Sequence, residues 1–330
     1  MKKLIYMVLS LALCSCGQKG SGENASDNKI DENVATASAA PTFDADSAYQ
    51  YVATQVAFGP RVPNTKAHVQ CGDYLVAQLK SFGAKIYEQT MQLKTYDKKT
   101  LDCRNIIGVF NPENTNRILL CAHWDSRPYA DHDANKDNYR KPIDAADDGG
   151  SGVGVLLEIA RQIGKNNPSV GVDIIFFDAE DYGTPAFEKE DDTNSWCLGT
   201  QFWAKNPHVK GYRAQYGILL DMVGGHNATF YKEMQSVKFA ARYVEAVWEK
   251  ARDLGYGRFF LNADGGTITD DHQYVNTERN IPCIDIINYD PQSENGFAPW
   301  WHTINDTMSN IDKETLKAVG QTVLEMIYEK

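Results

Sequence analysis

Short, continuously hydrophobic segments recur along the chain and are separated by longer amphipathic segments. Hydrophobic runs of this length, with no polar face, are typical of strands that are buried on both sides of a sheet. On this basis we predict strands at residues 117–122, 172–177, 216–220 and 281–287.

The amphipathic segments have the periodicity of helices and end at helix-stopping residues such as Gly83. Asp312 can cap a final helix that runs to the end of the chain. Strands alternating with helices predict an α/β fold: a single domain with a mixed, mostly parallel central sheet flanked by helices on both faces. The other helices are predicted at residues 45–58, 66–82, 152–163 and 239–254.

The first residues have the pattern of an export signal. A basic start, Lys2 and Lys3, precedes an apolar stretch that is too short to span a membrane and ends at Cys16. This resembles a bacterial lipoprotein signal, with Cys16 as the acylated residue; Cys14, or a plain secretory signal, is the alternative. We therefore predict a signal over 1–16, a flexible polar tether over 17–42, and a folded domain over 43–330. The expected location is the bacterial cell envelope, lipid-anchored to a membrane on its periplasmic side or surface.

Composition narrows the possible functions. Hydrophobic residues make up 42% and charged residues 23% of the chain, which is typical of a globular protein. The formal net charge of -11 and the lack of a basic stripe argue against a nucleic-acid partner. An odd number of cysteines follows Cys16, so at least one is unpaired within the chain, and the sequence leaves any pairing open. They are Cys71, Cys103, Cys121, Cys197 and Cys283.

Acidic and histidine residues fall where the predicted strands end. Because ligands bind beyond the carboxyl ends of parallel strands, these side chains could converge at one edge of the sheet. Each alone is more simply a cap, a turn residue or a solvated surface group, so the argument depends on their coincidence. Carboxylate and imidazole groups suit zinc, and a neighbouring glutamate suits proton transfer. The residues concerned are His123, Asp148 in a glycine-rich turn, Glu180, Asp181, Asp221 and His302.

The order of these motifs resembles the zinc aminopeptidase fold. It is most similar to the animal-type glutaminyl cyclases built on that fold, including their bacterial relatives, over residues 43–330. Two segments favour the cyclases: Thr269-Asp270-Asp271-His272, and Pro299-Trp300-Trp301-His302-Thr303. The full series is His-x-Asp, Asp-Asp-Gly-Gly-Ser-Gly, Phe-Phe-Asp-x-Glu-Asp, Leu-Leu-Asp-Met-Val-Gly and Trp-His-Thr.

The resemblance implies a role for each matching residue. Glu180 would transfer the proton, Asp221 and Asp270 would form a supporting acid network, and Trp301 and Phe297 would line the pocket. At Asp181 the animal enzymes usually have a glutamate, so the carboxylate is kept on a side chain one methylene shorter. The implied zinc ligands are Asp148, Asp181 and His302.

The implied reaction converts the N-terminal glutamine of a peptide or protein to pyroglutamate with release of ammonia. One Zn²⁺ per chain, with an open coordination position, would polarise the side-chain amide carbonyl of the substrate. The partners expected are peptide or protein N-termini that bear glutamine, and the chain is expected to be a monomer.

A zinc aminopeptidase is the main alternative. His123 and Asp221 are both present, and in aminopeptidases these positions hold a second zinc, with Asp148 bridging the two ions. A lipid-tethered binding protein without catalysis is disfavoured, because the ligand set and Glu180 are intact.

Overall fold

The structure is a computed structural model and describes residues 40–189 and 192–329. The predicted signal with Cys16, and the tether up to residue 39, lie outside this part of the chain. The boundaries proposed for these two segments therefore stay predictions.

A mixed six-stranded sheet forms the centre of the fold. The described chain has two further strands in a separate pair. In chain order the strands are β1 (Lys85–Lys94), β2 (Thr100–Phe110), β3 (Arg117–His123), β4 (Gly171–Phe177), β5 (Tyr216–Asp221), β6 (Phe230–Lys232), β7 (Phe260–Asp264) and β8 (Cys283–Ile287). The large sheet has the order β1-β2-β4-β3-β5-β8, and β6 pairs with β7 separately. Pairing is parallel among β4, β3, β5 and β8 and antiparallel from β1 through β2 to β4. The predicted sheet type is confirmed.

Helices cover both faces of this sheet, as predicted. They are α1 (Ala45–Ala57), α2 (Lys66–Ser81), α3 (Gly150–Lys165), α4 (Leu198–Lys205), α5 (Met234–Asp253), α6 (Asp271–Arg279) and α7 (Lys313–Tyr328), with short 3₁₀ turns at Lys136–Asn138 and Met308–Asn310. The predicted start of α5 at residue 239 is too late. The Glu233 side chain accepts hydrogen bonds from the first backbone amides and so starts the helix in a polar segment that lacks hydrophobic periodicity.

The strand periodicity explains the two-sided core. Along β3, Ile118 and Leu120 pack in the cluster that includes α1, α3, α5 and α7, whereas Leu119 and Cys121 pack against Trp203 of α4 on the opposite face. All residues of β3, β4 and β5 are buried, which accounts for their largely hydrophobic sequence; Arg117 and Asp173, the charged residues within β3 and β4, pair with each other.

The pairing of β1 with β2 was not predicted. Residues of β1 are mostly exposed or half-buried, because this strand lies at the edge of the sheet. A strand of this kind carries many polar residues and has no hydrophobic run to mark it.

Two further features of the described chain bear on function. The five cysteines that it contains are buried and unpaired, which settles the question that the sequence left open. None of the helices described is long and apolar enough to cross a membrane.

The parallel strands position the site. Because β3, β4, β5 and β8 run in the same direction, the loops that follow them meet at one edge of the sheet. His123 and Asp221 end their strands there, and the loop after β4 carries Glu180 and Asp181.

Candidate active site

Asp148, Asp181 and His302 come together at this edge of the sheet. The Nε2 atom of His302 lies 3.4 Å from Asp148 Oδ2 and 3.2 Å from Asp181 Oδ1. One donor atom from each of the three residues lies within 4.8 Å of the others, and all three side chains are buried. The arrangement therefore brings one imidazole and two carboxylates to a single point.

The turn before α3 needs a glycine to form this cluster. Gly149 has a φ of +82°, and a Cβ atom there would lie 2.7 Å from His123 Cε1. Both the left-handed backbone and the close imidazole exclude a side chain at this position. The glycine-rich motif thus places Asp148 beside two histidines.

Two further aspartates hold the backbone of the cluster. The carboxylate of Asp306 accepts from the amides of Asp147 and Asp148 at 2.8 and 3.1 Å. Asp125 accepts from the amides of Glu180 and Asp181 at 3.1 and 3.2 Å. Buried carboxylates that bind consecutive amides fix both loops, and this reduces the freedom of the side chains they carry.

Arg127 joins the cluster to the neighbouring wall of the site. Its Nη1 atom donates to the Asp181 carbonyl oxygen at 3.0 Å and to Asp181 Oδ1 at 3.3 Å. Its other donors bind Asp131 at 2.6 and 2.7 Å, and the guanidinium lies 4.7 Å from the Trp196 ring centroid. Burial by itself raises the pKa of Asp131, but the hydrogen bonds and charge of Arg127 lower it to about 2. Asp131 Oδ1 in turn lies 3.7 Å from His302 Nδ1.

The donor set fits a zinc ion. Asp181 Oδ2 is buried and has no hydrogen-bond partner in the described chain, which is costly unless a cation satisfies it. Nitrogen and carboxylate donors in this number match the three-ligand sites of catalytic zinc. The shorter Asp181 side chain still comes within 3.2 Å of His302, and Arg127 holds its backbone carbonyl.

A second cluster shares Asp148. The Nε2 atom of His123 lies 3.0 Å from Asp148 Oδ1 and 3.2 Å from Asp221 Oδ1. Burial by itself lowers the pKa of His123. The carboxylates of Asp125, Asp148 and Asp221 outweigh the effect of burial and raise the pKa of His123 well above its usual range. The geometry matches the positions expected for a second metal, and it equally forms a buried ion pair.

Glu180 and Asp270 form an acidic pair beside the first cluster. Together with Cys197 they place donor atoms within 4.8 Å of one another. Burial raises the pKa of each carboxyl well above its ordinary range; the charge of Asp270 adds to the effect on Glu180, and that of Asp221 to the effect on Asp270. Neighbouring carboxyls in this state share protons, so the pair can both accept and return a proton.

A buried polar chain lies behind Asp270. His272 Nε2 lies 3.0 Å from Glu233 Oε2, and its Nδ1 lies 3.6 Å from Asp285 Oδ2. Asp270, His272 and Asp285 place donor atoms within 4.8 Å of one another. The acid pair is thus backed by further ionisable groups.

An aromatic-walled cavity of about 490 Å³ opens onto these groups. Trp301 stacks on His302 with ring centroids 3.7 Å apart, and Phe297 lies 4.6 Å from Trp301. Trp196 forms another wall and lies parallel to the His302 ring at 6.1 Å. Of the active-site residues predicted from the sequence, all except His123 line the cavity: Asp148, Glu180, Asp181, Asp221, Asp270, Phe297, Trp301 and His302.

Several residues of the site were missed. Arg127 lies two residues after the His-x-Asp motif, but its contacts with Asp131 and Trp196 join separate loops. Trp196 and Cys197 follow a polar insertion, where no hydrophobic pattern marked them. A tryptophan next to a cysteine after such an insertion is the sequence signal that could have been used.

Comparisons with known proteins agree with this geometry. The model of peptidase family M28 matches residues 105–327. The crystal structure of Tannerella forsythia glutaminyl cyclase is 64% identical, with a TM-score of 0.87 over 88% of this chain and 100% of that one. That of a Zn-dependent exopeptidase from Parabacteroides distasonis is 68% identical, with a TM-score of 0.88 over 88% of this chain and 100% of that one. Aminopeptidase YwaD of Bacillus subtilis is 27% identical over 82% of this chain, which spans about half (54%) of that relative's length.

Proposed function

The chain belongs to peptidase family M28, and within this family we infer that it is a zinc-dependent glutaminyl-peptide cyclotransferase. It converts the N-terminal glutamine of peptides and proteins to pyroglutamate. One observation carries the inference: Glu180 and Asp270 line the same aromatic-walled cavity as Asp148, Asp181 and His302. The similarity to a glutaminyl cyclase at 64% identity supports it.

The substrate supplies both reacting groups. Its free α-amine attacks the carbonyl carbon of its own side-chain amide, and the new C–N bond closes a five-membered ring. The bond from that carbon to the amide nitrogen breaks, and ammonia leaves. Because the reaction is intramolecular, the enzyme gains mainly by folding the side chain back onto the amine.

Glu180 moves the proton in this scheme. Its carboxylate takes a proton from the attacking amine and returns it to the departing nitrogen. Asp270 and Asp221 share protons with Glu180, so that the acidic pair of Glu180 and Asp270 is neither fully protonated nor fully ionised. Asp148, Asp181 and His302 would hold a zinc ion, which supplies polarisation of the amide carbonyl when bound.

The aromatic walls set the shape of the substrate pocket. Trp301, Phe297 and Trp196 line the cavity into which the N-terminal glutamine would enter. Flat apolar walls stabilise the compact conformer and exclude water that would compete with the amine.

An aminopeptidase activity is the second candidate, and one observation favours it. His123, Asp148 and Asp221 form a second cluster in which three donor atoms lie within 4.8 Å of one another. With two zinc ions there, Glu180 would activate a water molecule and the product would be a free amino acid. The number of zinc ions per chain therefore separates the two candidate functions, and we propose that each chain holds one zinc ion.

Mass spectrometry of a glutamine-initiated peptide incubated with the zinc-loaded protein tests the proposal. We expect the peptide to lose one ammonia and to stay otherwise intact. Loss of the whole first residue would instead establish an aminopeptidase. An alanine-initiated peptide of the same sequence is the matched control, since it can be hydrolysed but cannot cyclise.

We also propose that the enzyme is tethered by lipid at Cys16 in the bacterial cell envelope and acts on exported proteins with an N-terminal glutamine. The support is the pattern of the sequence before residue 43. Mass analysis of the mature N-terminus, with Cys16→Ala as the control, should find a diacylglycerol-modified cysteine. An unmodified, cleaved N-terminus would overturn the tether.

A further inference from the structure

We propose that the Cys197 thiol is a positioning residue for Glu180: by donating a hydrogen bond to one carboxylate oxygen, it orients the other toward the substrate. This inference rests on the proposed function, in which Glu180 transfers the proton. The Sγ atom of Cys197 lies 3.2 Å from Glu180 Oε1, and both side chains are buried. Among the described residues, this thiol is the hydrogen-bond donor that the structure places on the Glu180 carboxylate.

The backbone around Cys197 is fitted to the loop that carries Glu180. The amides of Cys197, Leu198 and Gly199 donate to the carbonyl oxygens of residues 180, 179 and 178 at 2.9, 3.0 and 3.0 Å. A Cβ atom on Gly199 would lie 2.2 Å from the residue 178 carbonyl oxygen. The start of α4 therefore docks directly on this loop, and the Cys197 side chain has a fixed direction.

The conformation of Cys197 indicates that its side chain is needed. Its φ is +55° and its ψ is 35°, in the left-handed region where glycine or asparagine costs least. A cysteine held there is more strained than glycine would be, and such strain tends to be kept at functional positions. In this conformation the Cys197 side chain points at Glu180, and this contact is the function that we assign to the strained backbone.

The thiol suits this task. Burial raises the pKa of Cys197 well above its ordinary value, and the nearby Glu180 carboxylate adds to the effect. The group therefore keeps its proton and remains a donor. Because a thiol is a weak donor, it can orient the carboxylate without removing the basicity that proton transfer requires.

Steady-state cyclisation kinetics of Cys197→Ala and Cys197→Ser test the proposal. Alanine removes the donor at little change in volume, and we expect kcat to fall about 3- to 10-fold, as for loss of one hydrogen bond, with KM nearly unchanged. Serine keeps a donor and should restore kcat to within about 2-fold of the wild type. Zinc content and Tm are measured for every variant, and Cys283→Ala, a buried cysteine in the core, is the control for thiol loss.

Three outcomes would overturn the proposal. Cys197→Ala could keep the wild-type kcat, alanine and serine could be equally impaired, or kcat could fall only in step with zinc content or Tm. The wild-type assay distinguishes the two levels of inference. Without cyclisation by the wild type the proposed function fails, whereas cyclisation that is indifferent to the Cys197 donor rejects this positioning role alone.

Discussion

At the scale of single residues, the site concentrates backbone conformations that side chains rarely adopt. Ala179, His302 and Met222 have φ values of +52°, +53° and +48°, and Cys197 joins them at +55°. Each is a site residue or lies next to one. Left-handed conformations of this kind cost free energy, and they persist where surrounding contacts require them. The backbone of the loops at the sheet edge is therefore locally strained, and this strain accompanies the placement of side chains at the cavity.

Glu180→Gln tests the central residue directly. The amide keeps the size of the side chain but cannot accept the amine proton, so kcat should fall at least about 100-fold. Zinc content should stay near normal, because Asp148, Asp181 and His302 are unchanged. Cyclisation assays with metal analysis check both statements, and full activity in the variant would remove Glu180 from its role.

At the scale of elements, the start of α5 depends on Glu233. This buried side chain accepts from the amides of Gln235, Ser236 and Ile268, and it contacts His272. Burial alone raises the pKa of Glu233, but the His272 contact and these amides lower it from 4.5 to about 2. A carboxylate with a lowered folded-state pKa stabilises the fold above its unfolded pKa and loses this contribution as the pH falls toward the folded value.

The predicted consequence is acid-sensitive unfolding. A shift of this size corresponds to about 3 kcal/mol at neutral pH, of which roughly 2 kcal/mol should be lost by about pH 3. Urea unfolding of the metal-free protein at about pH 6 and about pH 3 measures the loss. Glu233→Gln should be less stable at the higher pH and should lose less on acidification. An identical pH dependence in the variant would contradict the assignment.

At the scale of the whole molecule, the proposed zinc site lies in the loops at the edge of the sheet. Asp148, Asp181 and His302 lie in loops at this edge, whereas the hydrophobic clusters on both faces are formed mainly by the helices and strands. Metal binding should therefore add to the stability of a fold that already exists.

Removal of zinc by a chelator should abolish cyclisation while the far-ultraviolet circular dichroism stays native. Tm should fall by about 5 °C if zinc had been present at about 100 times its Kd. Differential scanning calorimetry with metal analysis of the dialysed protein checks this, and we expect one zinc per chain. Two ions per chain would favour the aminopeptidase, and unfolding on chelation would show that the metal holds the fold together.

The sequence by itself determined those features that local patterns carry. Buried strands such as β3 and β5 are unbroken hydrophobic runs, and the polar residues that end them must meet because parallel strands share one edge. For this reason the sequence alone assigns Asp148, Glu180 and His302 to one site. The resemblance of the motifs then indicated zinc and the reaction.

Only the tertiary structure decided the groups that act on those residues from other segments. Arg127 bridges Asp181 and Trp196, and Cys197 reaches Glu180, through contacts between loops that no local pattern marks. The edge strand β1 was likewise invisible, because most of its residues are exposed or half-buried and can therefore be polar. Local sequence patterns reflect burial and chain direction, whereas the choice of partners across the sheet edge depends on how distant segments pack, and that packing exists only in the folded chain.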